Sequence, residues 1–200
     1  MARDDHRQTG AHHANGAPKA TAPAHISLVG SVDEVMAEKL RDMLNQAEDG
    51  EGPLIIDMTT LGGDPEMARR MIAEVDAARK RLNGRRLVFV GKTVVYSAGC
   101  TFMAAFPPED RYLTSDTTLL IHCRQLQQTI ELDGPIRMLL PKLEAMIHQL
   151  DTGIELERDN FQRLIVNTDV KMDELLEKAL YNWYVGAEEA AARKLVAGIV

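Results

Sequence analysis

The sequence predicts an α/β fold: stacked βαβ units sharing a mainly parallel sheet, with one long helix projecting from the body. Three observations lead there. Apolar strand-like runs at His25–Val29, Leu54–Met58 and Leu87–Val90 are separated by segments of helical period, and such alternation at short spacing calls for helical crossovers between parallel strands. Two small-residue loops, Leu61-Gly62-Gly63 and Tyr96-Ser97-Ala98-Gly99, lie where this chain would leave its sheet at the carboxyl ends of the strands, the edge at which such sheets hold ligands. Apolar residues then recur at helical spacing from Ile136 to Ile165, a helix longer than a small domain is wide.

The elements follow in order. Residues 1–24 are rich in Ala, Gly, His and Pro and nearly devoid of large apolar side chains. Such a tail cannot bury enough surface to offset its ordering entropy and is expected to be disordered, with His6, His12 and His13 solvated. Order is expected from His25. Gly30 breaks the first strand, and Ser31 or Asp33 caps a helix to about Ala47 whose buried stripe is Val35, Met36, Leu40, Met43 and Leu44. Asp49-Gly50-Glu51-Gly52-Pro53 is read as a turn before the second strand. Pro65 suits a helical first turn, where its missing N–H costs nothing, and Asn83-Gly84 ends that helix. After Leu87–Val90 the chain is expected to turn through Tyr96–Gly99 into an apolar helix, Cys100 to Phe106, and then into two short strands, the second ending at His122.

Asp133-Gly134-Pro135 looks like a helix start. Pro141 should kink the following helix or mark its true beginning, and Gly153 is where two shorter helices would divide. A helix that long with a continuous apolar stripe needs a second surface, so self-association is expected. A short helix from Met172 to Leu180, a packed aromatic turn at Tyr181–Tyr184 and a last helix from Glu188 to Val196 complete the chain.

Composition narrows the function. The 200 residues are 45% hydrophobic, enough for one cored domain, and the formal net charge of −7 argues against nucleic acid or an anionic membrane as partner. No run approaches the ~18 apolar residues of a spanning helix, and the N-terminus lacks the apolar region of a secretory signal. Cys100 and Cys123 have no zinc-type spacing, so neither a metal nor a cofactor is expected. These readings point to a soluble cytoplasmic protein.

Within the stretch from Gly91 to Arg124, Ser97 stands between a buried strand and a helix start, where unpaired N–H groups stabilise negative charge. His122 ends a later buried strand and could supply the base such a serine needs. An N-cap serine and a satisfied core histidine are the plainer readings of the same residues. Gly62-Gly63 is either a turn or a loop stripped of side-chain bulk so that a backbone N–H meets an oxyanion. Cys100, one helical turn beyond Ser97, could serve as a thiol nucleophile but better suits a small core position; Cys123, adjoining His122 on a strand, should face away from it.

From His25 onward the pattern resembles the Clp protease proteolytic subunit family, within the Clp/crotonase fold. Leu28-Val29-Gly30 is similar to its opening strand, and Met58-Thr59-Thr60-Leu61-Gly62-Gly63 falls at its Asn-Ser-Pro-Gly-Gly loop. Tyr96-Ser97-Ala98-Gly99-Cys100 falls at its nucleophile turn, and Arg111-Tyr112-Leu113 and Leu120-Ile121-His122 at its next two strands. The segment at about 133–167 resembles the family's handle helix, and Gly186-Ala187-Glu188-Glu189-Ala190 the start of its last helix. The resemblance implies a serine endopeptidase in which Ser97 is the nucleophile, His122 the base, and the N–H groups of Gly63 and Ala98 the oxyanion hole. It also implies a homo-oligomer of stacked rings, fed unfolded protein or peptides by an AAA+ unfoldase ATPase.

The departures are specific. Thr60-Leu61 replaces the family's Ser-Pro, Cys123-Arg124 its Gln-Pro, and Gln125-Leu126-Gln127-Gln128 its glycine-rich groove strand. In the family's register Lys178 occupies the position of the triad aspartate, and an ammonium cannot orient an imidazole as a carboxylate does. Glu177, Asn182 or Asp173 could substitute if the local helix shifts, and an aspartate at position 178 would restore the pattern. Two other functions stay open: a catalytically weak or inactive ring subunit or scaffold, and a crotonase-type acyl-CoA enzyme, which needs no Ser–His pair.

Overall fold

A computed structural model of the chain describes residues 25–47, 52–126 and 128–200. The tail expected at 1–24 and most of the turn expected at 49–53 lie outside the described residues. Thirteen α-helices and β-strands follow one another among the described residues: β1 His25–Val29, α1 Glu34–Gln46, β2 Leu54–Thr60, α2 Pro65–Arg81, β3 Leu87–Tyr96, α3 Ala98–Met103, β4 Arg111–Leu113, β5 Thr118–Ile121, α4 Ile136–Ile165, α5 Met172–Ala179, β6 Trp183–Gly186, α6 Ala187–Ala192 and β7 Gly198–Ile199.

The strands form one sheet in the order β1-β2-β3-β4-β7, all parallel, with β5 beside the far half of β3 and β6 antiparallel to β5. This is the α/β architecture that the strand–helix alternation predicts. The core is aliphatic, drawn from Ile26, Leu28, Leu54, Ile56 and Met58 of the strands and Leu40, Leu44, Met71 and Val75 of the helices, with Phe89, Phe102 and Phe106 meeting at its centre.

Local chemistry explains the helix ends. Asp33 caps α1 by accepting the Met36 N–H at 2.9 Å, and Asp64 caps α2 by accepting the N–H groups of Glu66 and Met67, with Pro65 in the first turn. The expected stripe of α1 is buried at Met36, Leu40 and Leu44, but Val35 points out and is 74% exposed. The turn expected to be packed at Tyr181–Tyr184 buries only Trp183, because β6 alternates and so presents Tyr184 to the other face.

The third strand is longer than its apolar run. It continues through Gly91-Lys92-Thr93 to Tyr96 by changing partners: Phe89–Gly91 pair with β4, then Val94–Tyr96 with β5. Thr93 takes a left-handed φ of 60° at the changeover, and a Cβ on Gly91 would stand 2.6 Å from Leu113 Cδ2. The helix after it accordingly begins at Ala98 and ends at Met103.

α4 is one unbroken helix of 30 residues, ~45 Å long, with Pro141 inside it and no division at Gly153. Only its last turns are buried, at Phe161, Leu164 and Ile165; Ile136, Leu140, Ile147 and Ile154 are exposed, so the helix projects. Its base is held by Arg111, which is wholly buried and donates to the carbonyls of Phe106 at 2.7 Å, Leu164 at 2.8 Å and Leu195 at 3.2 Å. Burial lowers the Arg111 pKa to about 10, leaving it charged at neutral pH, where it compensates carbonyls at the C-terminal end of α4.

Candidate active site

The site is assembled from three loops at the carboxyl ends of β2, β3 and β5. Ser97 follows the end of β3 with φ 54° and ψ −114°, a backbone shape that costs a non-glycine residue about 1–3 kcal/mol and persists only where the surroundings enforce it. The enforcement is visible: the Ser97 N–H donates to the Leu120 carbonyl at 2.8 Å, and the Ser97 carbonyl accepts from Thr101 at 3.2 Å. Although Ser97 occupies the N-cap position of α3, its side chain makes no capping bond. The hydroxyl is therefore not spent on the helix end.

The Gly62-Gly63 loop packs directly against this turn. A Cβ on Gly62, whose φ is 108°, would lie 2.9 Å from Ser97 Cβ, and one on Gly63, at φ 150°, would lie 2.3 Å from the Val32 carbonyl oxygen. Only glycine fits at either position. The loop is fastened by Val32 N–H to Gly62 O at 2.9 Å, Asp64 N–H to Val32 O at 2.8 Å and Gly62 N–H to Thr60 Oγ1 at 3.0 Å. The N–H groups of Gly63 and Ala98 have no hydrogen-bond partner among the described residues.

Gly63, Ser97, Ala98 and His122 line a single cleft of ≈ 370 Å³, so all four residues singled out in the sequence come together. His122 lies one residue beyond the end of β5. Its Nδ1 is 2.7 Å from the Cys123 carbonyl oxygen. A carbonyl can only accept, so Nδ1 carries the proton and the lone pair of a neutral ring falls on Nε2. The Cys123 N–H in turn donates to Ala179 O at the end of α5. The Ser97 hydroxyl and His122 line the same cleft without a hydrogen bond between them, a looseness common in unliganded sites.

None of Lys178, Glu177, Asn182 and Asp173 lines the cleft. Lys178 sets its ammonium 3.0 Å from Glu174 and 4.5 Å over the Trp183 ring, and it lines a separate surface depression with Glu177 and Asn182. In this structure the group that orients His122 is a backbone carbonyl.

Both thiols are held above their usual pKa. Cys100 is buried, donates to the Val95 carbonyl, and burial pushes its thiol up to about 12. Cys123 does not face away as strand alternation suggests, because the strand has already ended at Ile121; it lines the cleft beside His122. Burial, followed by the charge of Glu157, raises its thiol pKa and keeps it protonated.

Two charged residues complete the cleft. Arg124 donates to Glu66 at 2.6 Å, and Glu66 also receives Arg69 at 2.7 Å; the hydrogen bond from Arg124, outweighing burial, lowers the Glu66 pKa. Glu157, from α4, accepts the Arg124 backbone N–H. The segment after His122, which the resemblance gives a groove strand, forms no strand among the described residues. Glu157 was not singled out in the sequence, although it lies four and seven residues before the buried Phe161 and Leu164 and so on the face of α4 that meets the body.

No family model and no curated protein matches the chain. A solved structure does: a mutant of ClpP1 from Listeria monocytogenes matches with a TM-score of 0.67 at 17% identity, covering 88% of this chain and 91% of that one. The likeness is one of fold, and it agrees with the Clp/crotonase-like architecture expected from the sequence.

Proposed function

We propose that the chain is the proteolytic subunit of a Clp-type serine peptidase. The observation that carries this reading is the convergence on one cleft of an uncapped serine held at positive φ, a histidine in the Nδ1–H tautomer, and two N–H groups with no partner among the described residues. In this reaction Ser97 Oγ attacks the peptide carbonyl carbon as its proton passes to His122 Nε2. The Gly63 and Ala98 N–H groups receive the oxyanion, each worth about 3 kcal/mol in comparable sites. The tetrahedral intermediate collapses, His122 gives the proton to the leaving amine, and the acyl-serine is released by water through the same base.

The supporting carbonyl at Cys123 selects the tautomer but carries no full charge, so it stabilises the imidazolium less than a carboxylate does. Slow hydrolysis of short peptides is the expected activity. The exposed apolar face of α4 supports homo-oligomeric assembly, with stacked rings and an AAA+ unfoldase partner following from the same reading. A second reading, a ring subunit with little or no turnover, is favoured by one observation: among the described residues the partner of His122 Nδ1 is a backbone carbonyl and not a carboxylate. Labelling with a fluorophosphonate decides between them. Covalent modification that disappears in Ser97→Ala supports the peptidase, and absence of labelling in the assembled protein supports the scaffold.

A further inference from the structure

We propose that Glu157 makes the cleft selective for peptides that carry a lysine or arginine side chain near the scissile bond. The inference rests on the peptide-binding reading of the cleft given above and assigns the preference to one residue on α4.

The charges around the cleft are unequally matched. Glu66 is held by both Arg69 and Arg124; Arg124 pairs with Glu66 through one guanidinium nitrogen, while its buried Nη1 has no hydrogen-bond partner among the described residues. Glu157 has no ion-pair partner among the described residues. Its carboxylate takes the Arg124 backbone N–H, whereas an ionised carboxylate offers roughly four acceptor positions. A half-buried carboxylate without a counter-charge is an incomplete site that a cation completes.

The surroundings match the shape of a basic side chain. Glu157 stands at the junction of the cleft holding Ser97 and an adjoining groove of ≈ 770 Å³ along α4. That groove is walled by Leu126, Leu150, Ile154 and Leu180. A lysine or arginine stem can lie along this apolar wall while its charged head meets the carboxylate. An acidic side chain at the same point would meet like charge.

The test uses the full chain carrying Ser97→Ala, so that binding is read without turnover. Fluorescence anisotropy compares labelled hexapeptides in which lysine, norleucine or glutamate is placed at each position in turn. At low ionic strength the lysine series is expected to contain a peptide bound about tenfold tighter than its norleucine counterpart, and salt should erode that ratio. Glu157→Gln keeps an acceptor for the Arg124 N–H but drops the charge, and should bring the ratio to about one. Equal binding of the lysine and norleucine series overturns the proposal. So does a preference for glutamate, which would assign selectivity to Arg124. If Glu157→Gln weakens all peptides in step and preserves the ratio, Glu157 is structural and the proposal is wrong. Absence of binding by every peptide overturns the peptide-cleft reading itself, and this inference with it.

Discussion

The backbone N–H of Ser97 donates to the carbonyl of Leu120 at 2.8 Å, so the serine turn and the strand leading into His122 form one hydrogen-bonded unit. The unit holds Ser97 at a φ of 54°, which a side chain tolerates only under constraint.

Ser97→Gly should therefore stabilise the fold while removing fluorophosphonate labelling. Relief of about 1–3 kcal/mol of backbone strain is offset by about 0.5–1 kcal/mol of extra chain entropy, and no side-chain bond is lost. Urea unfolding should show Ser97→Gly more stable than Ser97→Ala by about 1 kcal/mol. Equal midpoints for the two variants would mean that the strain at Ser97 is no larger than the entropy cost of glycine, about 0.5–1 kcal/mol.

Lys178→Asp tests whether the carbonyl at Cys123 has taken over the orienting role. The side chain at 178 points to Glu174 and Trp183 rather than into the cleft, so an aspartate there meets like charge and forfeits the cation–π contact. A stability loss of about 1 kcal/mol is expected, with no gain in peptide turnover. A tenfold rise in kcat would show that α5 rearranges to deliver a carboxylate to His122, and the carbonyl assignment would fail.

What the sequence disclosed and withheld follows physical lines. Ser97, Gly62 and Gly63 were legible because their letters report backbone requirements: glycine where no Cβ fits, and a small polar residue between strand and helix. The acceptor for His122 was not, because every residue has a carbonyl and only tertiary structure decides which one faces the ring. The extension of β3 past Val90 was hidden for a related reason. Gly91 and Thr93 lie outside the apolar run Leu87–Val90, yet they mark where the strand exchanges β4 for β5. Glu157 lies more than thirty residues beyond His122, and its helical face identifies it only once α4 is known to dock at its C-terminal end.

Asp57 supplies a pH prediction outside the cleft. It is nearly inaccessible, and burial, the largest single effect, would raise its pKa; Lys92 at 3.2 Å, Ser27 at 3.0 Å and His25 together bring it below the usual carboxylate value. A carboxylate whose pKa is lower folded than unfolded stabilises the fold fully above the unfolded value, and that contribution is lost as pH falls through the folded one. The advantage of the parent chain over Asp57→Asn should be about 2–3 kcal/mol at pH 5 and shrink below about pH 4. Urea titrations at several pH values measure it. An advantage that grows as pH falls below about 4 would contradict the ionised assignment.

The last prediction concerns α4. Ile147 and Ile154 are seven residues apart and therefore on one helical face, and they are 57% and 62% exposed in the single chain. Together with Ile136 and Leu140 they form an apolar surface of the kind that marks an interface, on a helix anchored only at its C-terminal end by Phe161, Leu164 and Ile165. Neither side chain supports the core, so replacing both with glutamate should leave the unfolding midpoint of the isolated chain nearly unchanged. The same replacement places charge where a second copy would bury these residues, and desolvating an unpaired carboxylate there is costly. Sedimentation velocity should show the parent chain assembled and the double variant shifted to smaller particles. A parent chain that sediments as a monomer at micromolar concentration, or a double variant that assembles as before, removes α4 from the interface.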